Sequence, residues 1–101
     1  VSDTPQFRVY VIELSDEVGP RSNPEKPSVY VGQSALSPEK RFEAHRAGHR
    51  ASRRVRNFGV RLRPRLYRNV GPFDTRAEAE AAERHLADRL RRRGFTVYGG
   101  H

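Results

Sequence analysis

Near its C-terminal end the chain spells out a complete helix. Asp74-Thr75 offers an N-cap, Glu78 follows Thr75 at capping-box spacing, and Gly94 stops the run after a cluster of arginines suited to a helix C-terminus. The pattern predicts a helix over Thr75–Arg93 with Ala79, Ala82, Leu86 and Leu90 as its apolar positions. A helix with one apolar stripe needs a second layer to cover it, and Phe7–Leu14 (FRVYVIEL) supplies one. Its β-branched and aromatic residues, ended by Ser15 and Asp16, read as a well-buried strand.

The intervening chain fills in the rest. Ser15–Ser28 carries three prolines, a glycine and mixed charges, which predicts an extended, exposed loop. Val29–Gly32 reads as a second strand, and with no helical pattern in the loop, antiparallel pairing with the first is expected. Ser37-Pro38 should cap a helix from about Pro38 to Ala47 with Phe42 pointing inward. Ala51–Asn57 reads as a short helix closed near Gly59, and Leu66–Val70, after Pro64, as a third strand. Phe95–Tyr98 returns as an extended segment. The expected fold is α/β (α+β): a single domain over residues 1–101 with a small, mainly antiparallel three-stranded sheet flanked by helices.

Charge points to the partner. Twenty Lys and Arg against 12 Asp and Glu give a net charge of +8, a field that attracts polyanions. Lysine is confined to Lys26 and Lys40, so the positive charge is carried by guanidinium groups, which suit phosphate recognition. The arginines crowd into the segment from Arg46 to Arg68, where Arg50, Arg53, Arg54, Arg56, Arg61, Arg63 and Arg65 surround Phe58 and Tyr67. Such a segment suits tracking along a nucleic-acid backbone. The absence of cysteine excludes a disulfide, a zinc ribbon and a thiol nucleophile. With no membrane-length apolar run and no signal-peptide layout at Val1–Arg8, an intracellular, cytoplasmic protein without membrane association is expected.

Five residues stand out against this background. Tyr10 lies in the middle of the first strand, and Tyr30-Val31-Gly32 ends the second. Arg41 and His45, four apart, share one face of the next helix. Glu83 falls roughly 60° from Leu86 on the core-facing side of the last helix, where a carboxylate needs a reason. A partly buried salt bridge would be one reason, and a functional role another.

The ordered set Tyr10, Tyr30-Val31-Gly32, Arg41, His45 and Glu83 resembles the GIY-YIG nuclease family over nearly the whole chain, and best in Val29–Gly48 (VYVGQSALSPEKRFEAHRAG). The resemblance implies a small sheet flanked by helices and hydrolysis of phosphodiester bonds with one divalent metal ion. By the same resemblance Glu83 would hold a hydrated Mg²⁺ or Mn²⁺, and Arg41 would complement transition-state charge. Tyr30 would activate water, which requires nearby positive charge because an unperturbed tyrosine titrates near ~10. Tyr10 and His45 would orient water or phosphate. Gly32, Gln33, Arg46, Arg50, Arg53, Arg54 and Arg56 are the expected nucleic-acid contacts, with DNA ahead of RNA as substrate. A homodimer or partner domains would add specificity to so small a surface.

The sequence departs from the family at three places. Arg8-Val9-Tyr10 stands where Gly-Ile-Tyr is usual, the connection Ser15–Ser28 is long, and Tyr98-Gly99-Gly100 occupies the region where an asparagine often stands. These departures make a catalytically inactive nucleic-acid-binding module of the same fold the alternative reading.

Overall fold

Two strands with every second residue apolar on each side make the centre of the molecule. A computed structural model describes residues 6–48 and 52–100, and in it β1 (Arg8–Leu14) pairs antiparallel with β2 (Ser28–Ser34). The register sets Tyr10 opposite Gly32 and Ile12 opposite Tyr30. Because side chains alternate along a strand, Val9 and Val11 point to one face and Tyr10, Ile12 and Leu14 to the other.

Three helices cover those faces. On the first face lies α3 (Arg76–Arg92), whose Leu86, Ala87 and Leu90 pack with Phe95 on Val9, Val11, Val29 and Val31. On the second lie α1 (Pro38–Arg46) and α2 (Arg53–Phe58), where Phe42, Val55 and Phe58 meet Tyr10, Ile12, Leu14 and Tyr30. The capping box of α3 forms as expected: the Glu78 N–H donates to Thr75 Oγ1 at 3.1 Å and the Thr75 hydroxyl donates to Glu78 Oε1 at 2.9 Å. Ala79, Leu86 and Leu90 are buried as expected, but Ala82 is only half-buried, and Ala87 and Glu83 complete the inner stripe.

The sheet has four strands, not three, in the order β3-β1-β2-β4. Its third strand in sequence, β3, is Gly59–Leu62, which pairs antiparallel with β1. The expected strand at Leu66–Val70 does not form. Pro64 instead opens a 3-10 turn over Pro64–Leu66, and the N–H groups of Leu66, Tyr67 and Val70 are taken by the carbonyls of Arg63, Pro64 and Tyr67. Leu66, Tyr67 and Val70 still reach the core, from turns rather than from a sheet. The C-terminal return is β4 (Thr96–Gly99), which pairs parallel with β2 after a connection that includes α3.

The connection between β1 and β2 is less exposed than expected. It opens with a 3-10 turn at Asp16–Val18, Val18 packs under the second face, and the Ser22 N–H donates to Thr96 Oγ1 of β4 at 2.8 Å. Of the two short helices, α1 ends at Arg46 with Ala47 as its C-cap, and α2 begins after Ser52; Ala51, where the second was expected to start, lies outside the described residues.

Candidate active site

The alternation of β1 and β2 that builds the core also sets two tyrosines on the face covered by α1. Tyr10 is 2% exposed, and its ring lies 6.5 Å from that of Tyr30 between centroids. The space for the Tyr10 phenol comes from Gly32 across the strand pair. A Cβ on Gly32 would lie 2.6 Å from Tyr10 Oη, so no larger residue fits there without displacing the ring.

Helix α1 starts where its sequence says it should, with Ser37 as N-cap and Pro38 in the first turn. That start fixes the angular position of everything after it. His45, 1% exposed, projects between the tyrosines, with Nε2 2.9 Å from Tyr10 Oη and its ring edge-on to Tyr30 at 5.8 Å. Its other nitrogen, Nδ1, accepts the backbone N–H of Ser52 at 3.0 Å. Arg41, one turn earlier, bears electrostatically on Tyr10, Tyr30 and His45, and its side chain hydrogen-bonds Tyr10.

Burial dominates the acid–base character of this cluster. It pushes the Tyr10 hydroxyl well above its ordinary range, reinforced by Tyr30 and opposed by Arg41. Tyr30 is raised too, by burial and the charge of Glu83, while Arg41 and the Ser52 side chain pull it back. His45 is pushed down to about 4, first by burial and then by Arg41, so its imidazole is neutral near neutral pH.

Glu83 approaches from the opposite face of the sheet. It is 7% exposed on α3, and its charge reaches both tyrosines. Gly100, with φ of +76°, allows the chain after β4 to pass against this part of α3, since a side chain there would run into Ala87. Tyr10, Tyr30, Arg41 and His45 thus meet from β1, β2 and α1, and Glu83 of α3 bears on both tyrosines through its charge. The donor set for a metal ion is sparse: among the described residues no group of three or more His, Cys, Asp or Glu could hold one. A lone carboxylate fits a cation that keeps most of its own water, as Mg²⁺ does, and does not fit a zinc site.

The expected nucleic-acid contacts fall into three groups. Gly32 and Gln33 lie on β2, and Gln33 Oε1 is buried without a hydrogen-bond partner among the described residues. Arg46, Arg53, Arg54 and Arg56 are exposed on α1 and α2, with Arg46 over the Phe42 ring at 5.6 Å and Arg54 over Tyr98 at 4.7 Å. Arg50 lies outside the described residues. Two further arginines of the basic segment, Arg61 and Arg63, are held by Glu13 at 3.3 and 2.8 Å, so they fasten β3 to β1. The residue that sequence reasoning missed is Ser52. Its only sequence signal was a hydroxyl ahead of a helical stretch, which reads as a cap and gives no hint of the histidine it touches.

Hydroxyl groups, a guanidinium and a carboxylate gathered at one place can bind a phosphoryl group and steady a hydrated cation, as a phosphodiester hydrolase requires. The model of the GIY-YIG catalytic domain matches residues 7–96, nearly the whole chain, and the chain belongs to that family. That family is one of nucleases, generally endonucleases, whose members usually use a divalent metal ion and act on nucleic acid. No curated protein and no solved structure matches the chain. Among the described residues no helix is long and apolar enough to cross a membrane.

Proposed function

We propose that residues 1–101 act as one domain that hydrolyses phosphodiester bonds in DNA as a metal-dependent endonuclease. The observation that carries this reading is the convergence of Tyr10, Tyr30, Arg41, His45 and Glu83 from four separate elements. Glu83 would hold one Mg²⁺ or Mn²⁺, which supplies polarisation of the scissile phosphate and support for the leaving oxygen when bound. Arg41 complements the added negative charge of the transition state. Tyr30 is half-buried and keeps access to solvent, so its oxygen, once it has released its own proton to solvent, is the base that takes the proton from the attacking water. Tyr10, nearly closed off, orients that water and the phosphate, and His45, neutral and with both ring nitrogens engaged, acts through Tyr10. The exposed arginines of α1 and α2 track the strand.

Incubation of supercoiled, linear and branched DNA with Mg²⁺ or Mn²⁺ tests the reading. Cutting is expected to need the metal and to fall by roughly 10²-fold or more in Glu83→Ala, Arg41→Ala and Tyr30→Phe. The second reading is a domain that binds nucleic acid without cutting it. It is favoured by Tyr98-Gly99-Gly100 in place of an asparagine and by the altered first motif. Salt-sensitive DNA binding with no cleavage under any of these conditions would select it.

A further inference from the structure

Ser52 is attached to the site through its backbone N–H, which donates to His45 Nδ1 at 3.0 Å, while its Oγ accepts the N–H of Val55 and its carbonyl that of Arg56 at the start of α2. A backbone N–H cannot accept a hydrogen bond, so His45 Nδ1 must present its lone pair. In a neutral imidazole the single proton is then on Nε2, and Nε2 lies 2.9 Å from Tyr10 Oη. Hydrogen-bond direction along the chain is fixed in consequence: Ser52 N–H to His45, and His45 Nε2–H to Tyr10. The Tyr10 oxygen receives a hydrogen bond from His45, and its own proton is left to point elsewhere.

We propose that Ser52 is a positioning residue for Tyr10, its N–H locking His45 as the Nε2–H tautomer that donates to Tyr10. This rests on the nuclease reading for its consequence in catalysis, and on hydrogen bonding alone for the tautomer. It also excludes one role: a histidine whose Nε2 is a donor cannot take the Tyr10 proton, so His45 orients Tyr10 and does not deprotonate it.

The test separates the two halves of Ser52. Ser52 has φ of −64°, the value proline imposes, so Ser52→Pro removes the N–H together with the hydroxyl, whereas Ser52→Ala removes the hydroxyl alone. The primary readout is the ¹H–¹⁵N long-range spectrum of the imidazoles in labelled protein near neutral pH, with His45→Gln identifying the signals of His45. The Nε2–H pattern is expected in the wild type and in Ser52→Ala, and its loss in Ser52→Pro. In cleavage, Ser52→Pro should lower kcat by roughly tenfold at unchanged KM, the size of effect that one lost hydrogen bond gives. Ser52→Ala, which keeps the N–H, should leave this kcat within about threefold of the wild type.

An Nδ1–H pattern in the wild type, or an unchanged pattern in Ser52→Pro, overturns the proposal. Should Ser52→Pro fail to fold, the wild-type spectrum still decides, because the tautomer is its central claim. A wild type that cuts no DNA but shows the Nε2–H pattern overturns the nuclease reading and upholds the tautomer.

Discussion

A histidine closed off between two tyrosines makes the site sensitive to acid through folding as well as through chemistry. His45 is held down to about 4 in the folded chain against an ordinary histidine value of 6.5, so between those values the unfolded chain binds more protons. The stability this group contributes is full above about pH 6.5 and is lost progressively as pH falls toward about 4, where it levels off. Denaturant titrations across that window should show the decline, and His45→Gln should flatten it. Tyr30 sets the opposite edge. Because burial and the charge of Glu83 raise its hydroxyl, its ionisation leans on Arg41 and a bound cation, and the cleavage rate should rise with pH through neutrality. A rate that stays flat from about pH 6 to about pH 9 in the wild type would remove Tyr30 from the role of base. Gly32→Ala is the sharpest steric probe at this scale. Its Cβ would press on Tyr10 Oη, and a loss of about 1–3 kcal/mol in unfolding free energy is expected, together with a disturbed Tyr10–His45 pair.

At the level of elements, caps decide where the chemistry points. Thr75→Ala breaks both arms of the α3 capping box and should cost about 1 kcal/mol in a thermal or denaturant melt. What could be read in the sequence followed the same logic. The limits of α3, the antiparallel pairing of β1 with β2 and the start of α1 were legible because caps, prolines and alternation are local signals. The third strand was not, because Gly59–Leu62 carries only two apolar residues and owes its place to pairing with β1 and to Glu13 gripping Arg61 and Arg63. β4 was seen as an extended segment, but its parallel partner is set by the crossover through α3, which no local pattern encodes. Of the site, side-chain type and order were legible in Tyr10, Tyr30, Arg41, His45 and Glu83. The Ser52 contact was not, since a backbone N–H leaves no mark in a sequence.

For the molecule as a whole, charge governs encounter. A net charge of +8 concentrated in arginines predicts DNA binding whose logarithm falls linearly with the logarithm of salt concentration. Arg54→Ala should weaken binding to all DNA sequences alike and reduce that slope by about one, which a salt series of binding isotherms would measure. If the affinity were indifferent to salt, the exposed arginines of α1 and α2 would have no part in holding the strand. The loop before β2 contributes at this scale as well: Ser22 bonded to the Thr96 hydroxyl ties that loop to β4, an outer strand of the sheet.

The arrival of Glu83 from the far side of the sheet has a meaning in time. Tyr10, Tyr30, Arg41 and His45 are made early, whereas α3 comes late and is backed by β4, the last strand, which docks alongside β2. On the nuclease reading, a chain still leaving the ribosome owns the groups that grip a phosphate but not the acid that completes the reaction centre. On that reading cleavage waits for α3 to dock on the sheet, so the order of the elements is itself a safety catch.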